Sequence, residues 1–339
     1  MPFLSNISSC CSGTVKNCYS VAIKKPNSKE CYYWDSFEST NEFQSGADIN
    51  SWINKNFIKS GSKWENFIIY NDEIPMGYTN LSHQIYKGSS NGHCKGILVW
   101  NREKIGWLIH SVPKFPTLEP NIHLNETQST QPLLLDISAG ELEYGQSFIY
   151  YELDSSYLSQ IMSQIVNMNA QIYMMKASPQ DLEYIVKNNN TTVTEVILNI
   201  EKERTVFNKK SKITTTHISK PHTAHIDIYE ERISRLQDGS RVHILTETWI
   251  RGGETTASKY VTHLKGVKEW KETQDHSKWA ILTPMEETRW MRWFHWKKPT
   301  YRVFVGDLNT MNSQEKRGGG GIMIDGNKDL WNCFNKLIY

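Results

Sequence analysis

Gly92-His-Cys-Lys-Gly-Ile-Leu-Val-Trp100, then Asn101-Arg-Glu-Lys104 and Gly106-Trp-Leu-Ile-His110, is the stretch on which the fold reading turns. Gly96 to Trp100 and Gly106 to His110 are short apolar runs bounded by turn residues, which predicts two strands. The polar link from Asn101 to Lys104 predicts that they form a hairpin. Residues able to do chemistry stand at the strand ends: His93 and Lys95 before the first run, His110 closing the second. Residues i and i+2 of a strand share a face, so His93 and Lys95 are expected to meet one ligand. Cys94 then points the other way, into packing, and is not read as a nucleophile.

Working outward, Phe67 to Asn71 and Phe148 to Leu153 predict further strands in the first half. Leu158, Ile161, Met162, Ile165 and Met168 recur at helical spacing, predicting a helix from Ser156 to about Met174 with Ser156 as its cap. A second short helix is expected from Ser178 to Val186, with Pro179 in its first turn. The polar run Asn188 to Thr192 marks the expected boundary between residues 1–187 and 188–339. Beyond it, strands are expected at Val193 to Ile200, Arg241 to Trp249, Trp279 to Leu282 and Tyr301 to Val305. Helices are expected at Asp227 to Leu236 and Asp329 to Leu337. This mixture of elements implies an α/β or α+β protein rather than a bundle or a sandwich.

The 339 residues, 38% of them hydrophobic, can bury a large core. The formal charge of +2 does not announce a polyanion binder at neutral pH. The 11 histidines change that in acid, because each protonation adds a positive charge. No apolar run is long enough for a membrane-spanning helix, and the first residues lack the pattern of a signal peptide. Asn6, Asn80, Asn125, Asn189 and Asn190 open glycosylation sequons, several of which composition alone would produce. Four of the 6 cysteines crowd the first 31 residues; a disulfide and free thiols both stay open. His217, His222 and His225 form a loose cluster with no second group to complete a zinc site, so no metal is expected.

His-x-Lys occurs four times, at His93/Lys95, His263/Lys265, His276/Lys278 and His295/Lys297, where about one copy is expected by chance. Two such pairs meeting in one site would place two imidazoles and two ammonium groups around a phosphodiester. One imidazole could attack phosphorus and the other protonate the leaving oxygen, while the lysines neutralise the non-bridging oxygens. The company each pair keeps selects among them. Gly92-His-Cys-Lys-Gly96 with His110-Ser-Val-Pro-Lys-Phe-Pro116 resembles the amino-terminal signature of the deoxyribonuclease II family. Asp275-His-Ser-Lys-Trp279, Gly306-Asp-Leu-Asn309 and Gln314-Glu-Lys-Arg-Gly-Gly-Gly-Gly321 follow in that family's order. Tyr70-Asn-Asp72 and Tyr144-Gly-Gln146 are weaker matches.

The resemblance implies two pseudo-symmetric, phospholipase D-like halves that share one active site. It implies metal-independent cleavage of DNA at acidic pH through a phosphohistidine, leaving 3′-phosphate ends, with no cofactor. His93, Lys95, His276 and Lys278 become the catalytic core, with His110, Asp307 and Asn309 supporting it. Lys114, Trp290, Arg292, Trp293 and Arg317 become candidate DNA contacts, and His263/Lys265 and His295/Lys297 become chance pairs. The family is lysosomal or secreted, and a monomer or homodimer is expected. Tyr150, Ala280 and Phe304 stand where members carry cysteines, so the family's disulfides are not expected. The segment Arg289 to Lys298 interleaves aromatic and basic residues, which suits single-stranded nucleic acid, a membrane interface or a packed hairpin. Gly318 to Gly321 could form a phosphate-binding nest or a flexible turn. Phospholipase D-like transfer to lipid substrates and non-catalytic DNA binding are the rival functions.

Overall fold

The computed structural model describes residues 18–36, 40–58, 64–75, 91–118, 135–178, 180–181, 196–206, 209–236, 239–250, 258–283 and 301–338. The sequons, the segment from Arg289 to Lys298 with Trp290, Arg292, Trp293 and the pair His295/Lys297, and most of the helix expected from Ser178 lie outside these residues.

The chain builds two large sheets and a few helices, a mixed α+β architecture. The first sheet has eight strands. In spatial order they are Ile172–Lys176, Asn66–Tyr70, Gly96–Trp100, Lys104–His110, Gln146–Asp154, Cys18–Lys24, Glu30–Asp35 and Gln44–Asp48. The second has seven: Val196–Val206, Lys209–Lys220, Gly319–Asp325, Arg302–Gly306, Trp279–Leu282, Ile244–Glu247 and Val261–His263. The predicted hairpin forms as read, with Gly96 opposite Ile109 and Trp100 opposite Ile105. Both strands are buried on both faces, which is why their sequences are continuous apolar runs rather than alternating ones.

Each expected His-x-Lys motif is followed at once by an interior strand, Gly96–Trp100 in one sheet and Trp279–Leu282 in the other. One continuous core joins the two sheets with the helices Leu158–Asn167 and Lys328–Leu337. Trp107, Trp279 and Phe334 lie in it, and each such side chain contributes about 1.5–3 kcal/mol of hydrophobic stabilisation. Polar bonds also tie each of these helices to a sheet. The His217 ring meets Gln164 Oε1 at 2.7 Å, and Asn327 Nδ2 donates to the Tyr19 hydroxyl at 2.6 Å. Helix Ile49–Ile58 covers the outer face of the first sheet with Trp52, Ile53 and Phe57.

Several expectations are corrected. The helix expected as far as Met174 ends at Asn167, because Asn169 turns left-handed (φ +54°) and the chain returns as the strand Ile172–Lys176. Its approach is capped by Asp154, whose carboxylate accepts from the Ser156 N–H at 2.9 Å, so Ser156 is not the cap. The helix expected from Asp227 to Leu236 is a single wide turn, Tyr229–Ile233. The Gly318 to Gly321 run is neither nest nor flexible turn: Gly319 to Gly321 open the strand Gly319–Asp325, paired on both sides. A Cβ at Gly320 would sit 2.3 Å from the Ile218 carbonyl oxygen, so close strand approach accounts for glycine there. Among the described residues, no helix is long and apolar enough to cross a membrane.

Candidate active site

His93 and Lys95 sit just before the strand Gly96–Trp100, and His276 and Lys278 just before Trp279–Leu282. The segment Gly306–Asp307 brings these two ends together. The Gly306 N–H donates to the Lys278 carbonyl at 2.9 Å, and the Asp307 carbonyl receives His93 Nδ1 at 2.7 Å. A carbonyl only accepts, so Nδ1 of His93 carries the ring proton and Nε2 keeps its lone pair. Burial first, and then Lys95, depress the His93 pKa to about 3, so this ring is neutral in mild acid. Lys278 and Arg317 press in the same direction while Asp72 opposes them.

Each motif takes its backbone anchor from a distant segment. The His93 N–H donates to the Gly318 carbonyl at 2.7 Å, and the His276 N–H donates to the Gly145 carbonyl at 2.8 Å. Gly318 must be glycine, because a Cβ would fall 2.1 Å from the Met168 carbonyl oxygen. The Lys278 N–H is held by Ser147 Oγ at 3.0 Å. Two buried lysines brace the anchoring loops. Lys24 donates to the carbonyls of Lys25, Ser28 and Leu142, and Lys220 to those of Gln314, Glu315 and Arg317.

The cations sit in contrasting settings. Lys95 is ion-paired with the buried carboxylate of Asp72. Lys278 is buried, its ammonium donating to the His276 carbonyl at 2.7 Å, and burial together with Lys95 lowers its pKa to about 7. Asp307 is buried between them; burial pushes its carboxyl up to about 7 against the pull of the Gly320 N–H, Lys95 and Lys278. The His276 ring lies on Tyr144, centroids 3.8 Å apart and planes at 6°, with Trp249 at 4.0 Å. Ring contacts this close fix the orientation of the imidazole.

His110 is buried beside Lys95. The Val112 N–H donates to His110 Nδ1 at 3.2 Å, which leaves the proton on Nε2; burial and Lys95 keep the ring neutral. Asn309 is buried next to Asp307, and its Oδ1 accepts no hydrogen bond among the described residues. Lys114 stands half-exposed at the rim, 4.0 Å from Glu73. Arg317, read as a DNA contact, stays 33% exposed while it donates to the Asn91 and Gly92 carbonyls and pairs with Asp72 at 3.3 Å. Of the two pairs read as chance, His263/Lys265 stands at the end of the strand Val261–His263, where the His263 ring meets the Thr310 hydroxyl. Of the loose histidine cluster, His217 faces Gln164 and His222 faces Asn169.

Sequence reasoning passed over Asp72, Ser147, Tyr144, Trp249 and Glu247 as site residues. Asp72 and Tyr144 stood in quoted motifs, but nothing in their spacing disclosed what they touch. Glu247 is fully buried near the second motif, and burial first, then Asp275 and Glu272, push its carboxyl up to about 9. An acid whose folded pKa is raised costs stability progressively as pH climbs from its unfolded value of about 4.5 towards 9, at roughly 1.4 kcal/mol per pH unit. Glu247→Gln removes that slope. The variant should match the parent near pH 4.5 and exceed it by a few kcal/mol at pH 8, read by urea unfolding at both pH values.

Comparison with known proteins places the chain in a family. The family model described as Deoxyribonuclease II matches residues 19–339. Deoxyribonuclease-2-beta of Rattus norvegicus is 26% identical over 283 residues, 80% of this chain and 70% of its own length. Cell-death-related nuclease 7 of Caenorhabditis elegans is 25% identical over 334 residues, 91% of this chain and 78% of its own. A putative deoxyribonuclease-2 of Burkholderia thailandensis is 26% identical over 294 residues, covering 80% and 71%. A match across nearly the whole described length, over a site that gathers two His-x-Lys motifs, leads to one conclusion: the chain belongs to the deoxyribonuclease II family and is a nuclease of that type.

Proposed function

We propose that the chain is a metal-independent acid endonuclease that hydrolyses DNA phosphodiesters through a phosphohistidine on His93 and leaves 3′-phosphate ends. The observation that carries this reading is the contrasting setting of the two imidazoles. His93 has its Nδ1 proton tied to the Asp307 carbonyl, which leaves a neutral Nε2 lone pair, while His276, stacked on Tyr144 and packed against Trp249, is given the part of the proton donor.

In the first step the His93 Nε2 lone pair forms a bond to phosphorus and the P–O5′ bond breaks. The O5′ electron pair takes the His276 proton and departs as the 5′-hydroxyl. In the second step His276, now neutral, removes a proton from water as the water oxygen bonds to phosphorus and the N–P bond breaks. The 3′-phosphate is released and both rings return to their starting states. Lys95 and Lys278 supply positive charge for the non-bridging oxygens, the task a metal ion performs elsewhere. The His110 N–H and the Asn309 amide are further donors at the same place. The pseudo-symmetric arrangement of residues 1–187 and 188–339 belongs to this reading. Its support is that each motif leads into an interior strand and is followed by one helix from the shared core. An acidic compartment, lysosomal or reached by secretion, fits the chemistry.

The direct test is plasmid cleavage at about pH 5 in EDTA with end-group analysis; strict dependence on added Mg²⁺, or 5′-phosphate products, would overturn the proposal. A second test uses the depressed Lys278 pKa. Lys278 is charged below about 7 and loses its charge above it. Lys278→Gln should therefore cost roughly 10²- to 10³-fold in kcat/KM at pH 5. The ratio of parent to variant should shrink steadily as assays move from pH 6 to pH 8.5. A penalty constant with pH would show that the ammonium charge is not what Lys278 contributes.

A further inference from the structure

The group facing the attacking nitrogen in the resting protein is a carboxylate. Asp72 follows the strand Asn66–Tyr70, held there by Asn71, whose side-chain amide donates to the carbonyls of Val112 and Phe115 at 3.0 Å each. The Asp72 side chain is 5% exposed. It pairs with the Lys95 ammonium, with Arg317 Nη2 at 3.3 Å, and lies 3.7 Å from His93 Nε2. His93 Nε2 bears a lone pair, so it cannot donate to the carboxylate while the ring is neutral. An ammonium, a guanidinium and an open nucleophile converging on one anion is the set a phosphodiester needs. Asp72 fills that place from within the protein.

A phosphodiester arriving at His93 brings a second negative charge against a buried carboxylate, and Lys95 and Arg317 cannot serve both anions in full. Two adjacent anions in a buried site do not both stay ionised. We propose that Asp72 is an internal stand-in for the scissile phosphodiester, surrendering Lys95 and Arg317 to the DNA and taking one proton from solvent as it does so. One anion enters and one is neutralised, so the charge of the site is unchanged by binding. The other groups in its field are Cys94, His110, Lys278 and Asp307, while its neighbour Glu73 lies near Lys114 at the rim. In the empty protein the surrounding cations hold Asp72 well below the usual carboxylate range, so the proton is taken only when the phosphodiester competes for those cations. Acid then favours substrate binding itself, apart from any effect on the chemical step. This inference rests on the phosphodiesterase reading of the site.

Asp72→Asn, which keeps the side-chain shape and removes the charge, separates the two ideas. In the parent, KM for an oligodeoxynucleotide should rise by roughly tenfold per pH unit between pH 5.5 and 7 from this one proton. In Asp72→Asn that component should vanish, giving a KM at pH 7 below the parent's. An unchanged KM slope would overturn the inference, as would a loss confined to kcat at every pH, which would make Asp72 a positioning residue only. A second measurement uses the unaltered protein. The ¹³C carboxyl resonance of Asp72 is followed while a dinucleotide with CH₂ in place of the bridging 5′ oxygen is added at pH 5.5. Movement to the protonated position is expected, and a carboxylate shift retained in the complex would overturn the proposal. Binding and cleavage with Asp72 still ionised sinks this inference alone; failure of the protein to bind or cut DNA sinks the functional reading with it.

Discussion

Replacing His93 with alanine is expected to lower kcat for DNA at pH 5 by roughly 10⁴-fold or more, because the bond to phosphorus then has no protein atom to form on. The loss should be independent of the leaving group. A thymidine 3′-(p-nitrophenyl phosphate), whose phenolate departs without help from an acid, should be cleaved no better by His93→Ala than DNA is. The fold should survive, since the imidazole is held by one bond to the Asp307 carbonyl while the His93 backbone anchor to Gly318 does not involve the side chain. Removing a buried neutral histidine should even raise acid tolerance. A histidine whose folded pKa lies near 3 costs stability as pH falls from about 6.5 through 3, at roughly 1.4 kcal/mol per unit. Thermal unfolding at pH 4.5 therefore distinguishes loss of chemistry from loss of structure. Substantial activity in this variant would remove His93 from the nucleophile's role.

His276→Ala should behave differently. Loss of the general acid costs roughly 10²- to 10⁴-fold on DNA, where the leaving group is an alkoxide. On the nitrophenyl ester the first step needs no proton, so a rapid burst of nitrophenolate, close to one equivalent per site, is expected. The second step should then stall for want of a base, and the phosphoryl group should remain on His93, visible by mass spectrometry of an acid-free digest. A burst from His93→Ala and none from His276→Ala would reverse the two assignments. The contrast arises from tertiary contacts: one ring donates to a main-chain carbonyl, and the other rests on Tyr144 and against Trp249.

Much of this was legible in the sequence where one residue type has one use. The runs Gly96 to Trp100 and Trp279 to Leu282 read as strands because interior strands exclude polar residues on both faces. The motif residues could be chosen by order and flanks. Less legible were the strands Cys18–Lys24 and Lys209–Lys220. Each ends in a lysine that a binary pattern places in water, yet Lys24 and Lys220 are buried because each ammonium meets three carbonyl oxygens. Gly319 to Gly321 hid a strand behind a composition that reads as a turn, since close approach of neighbouring strands leaves no trace in local propensity. That Arg317 also meets Asp72, distant in sequence, left no trace in the local pattern. Proton positions on His93 and His110 depend on which backbone groups they meet and could come only from three dimensions.

The reciprocal anchoring of the two motifs bears on how a cell makes such a protein safely. Chains emerge from the ribosome amino-terminus first. His93 and Lys95 are synthesised long before Gly318, whose carbonyl fixes the His93 main chain, and before Asp307, whose carbonyl orients the ring. On the proposed mechanism, a nascent chain therefore carries one complete motif with its nucleophile unaimed. On the same mechanism, cleavage should appear only once the segments that carry Asp307 and Gly318 have docked. A product truncated before Asp275 should cleave no DNA for the same reason: it holds one motif and lacks the segments that align it.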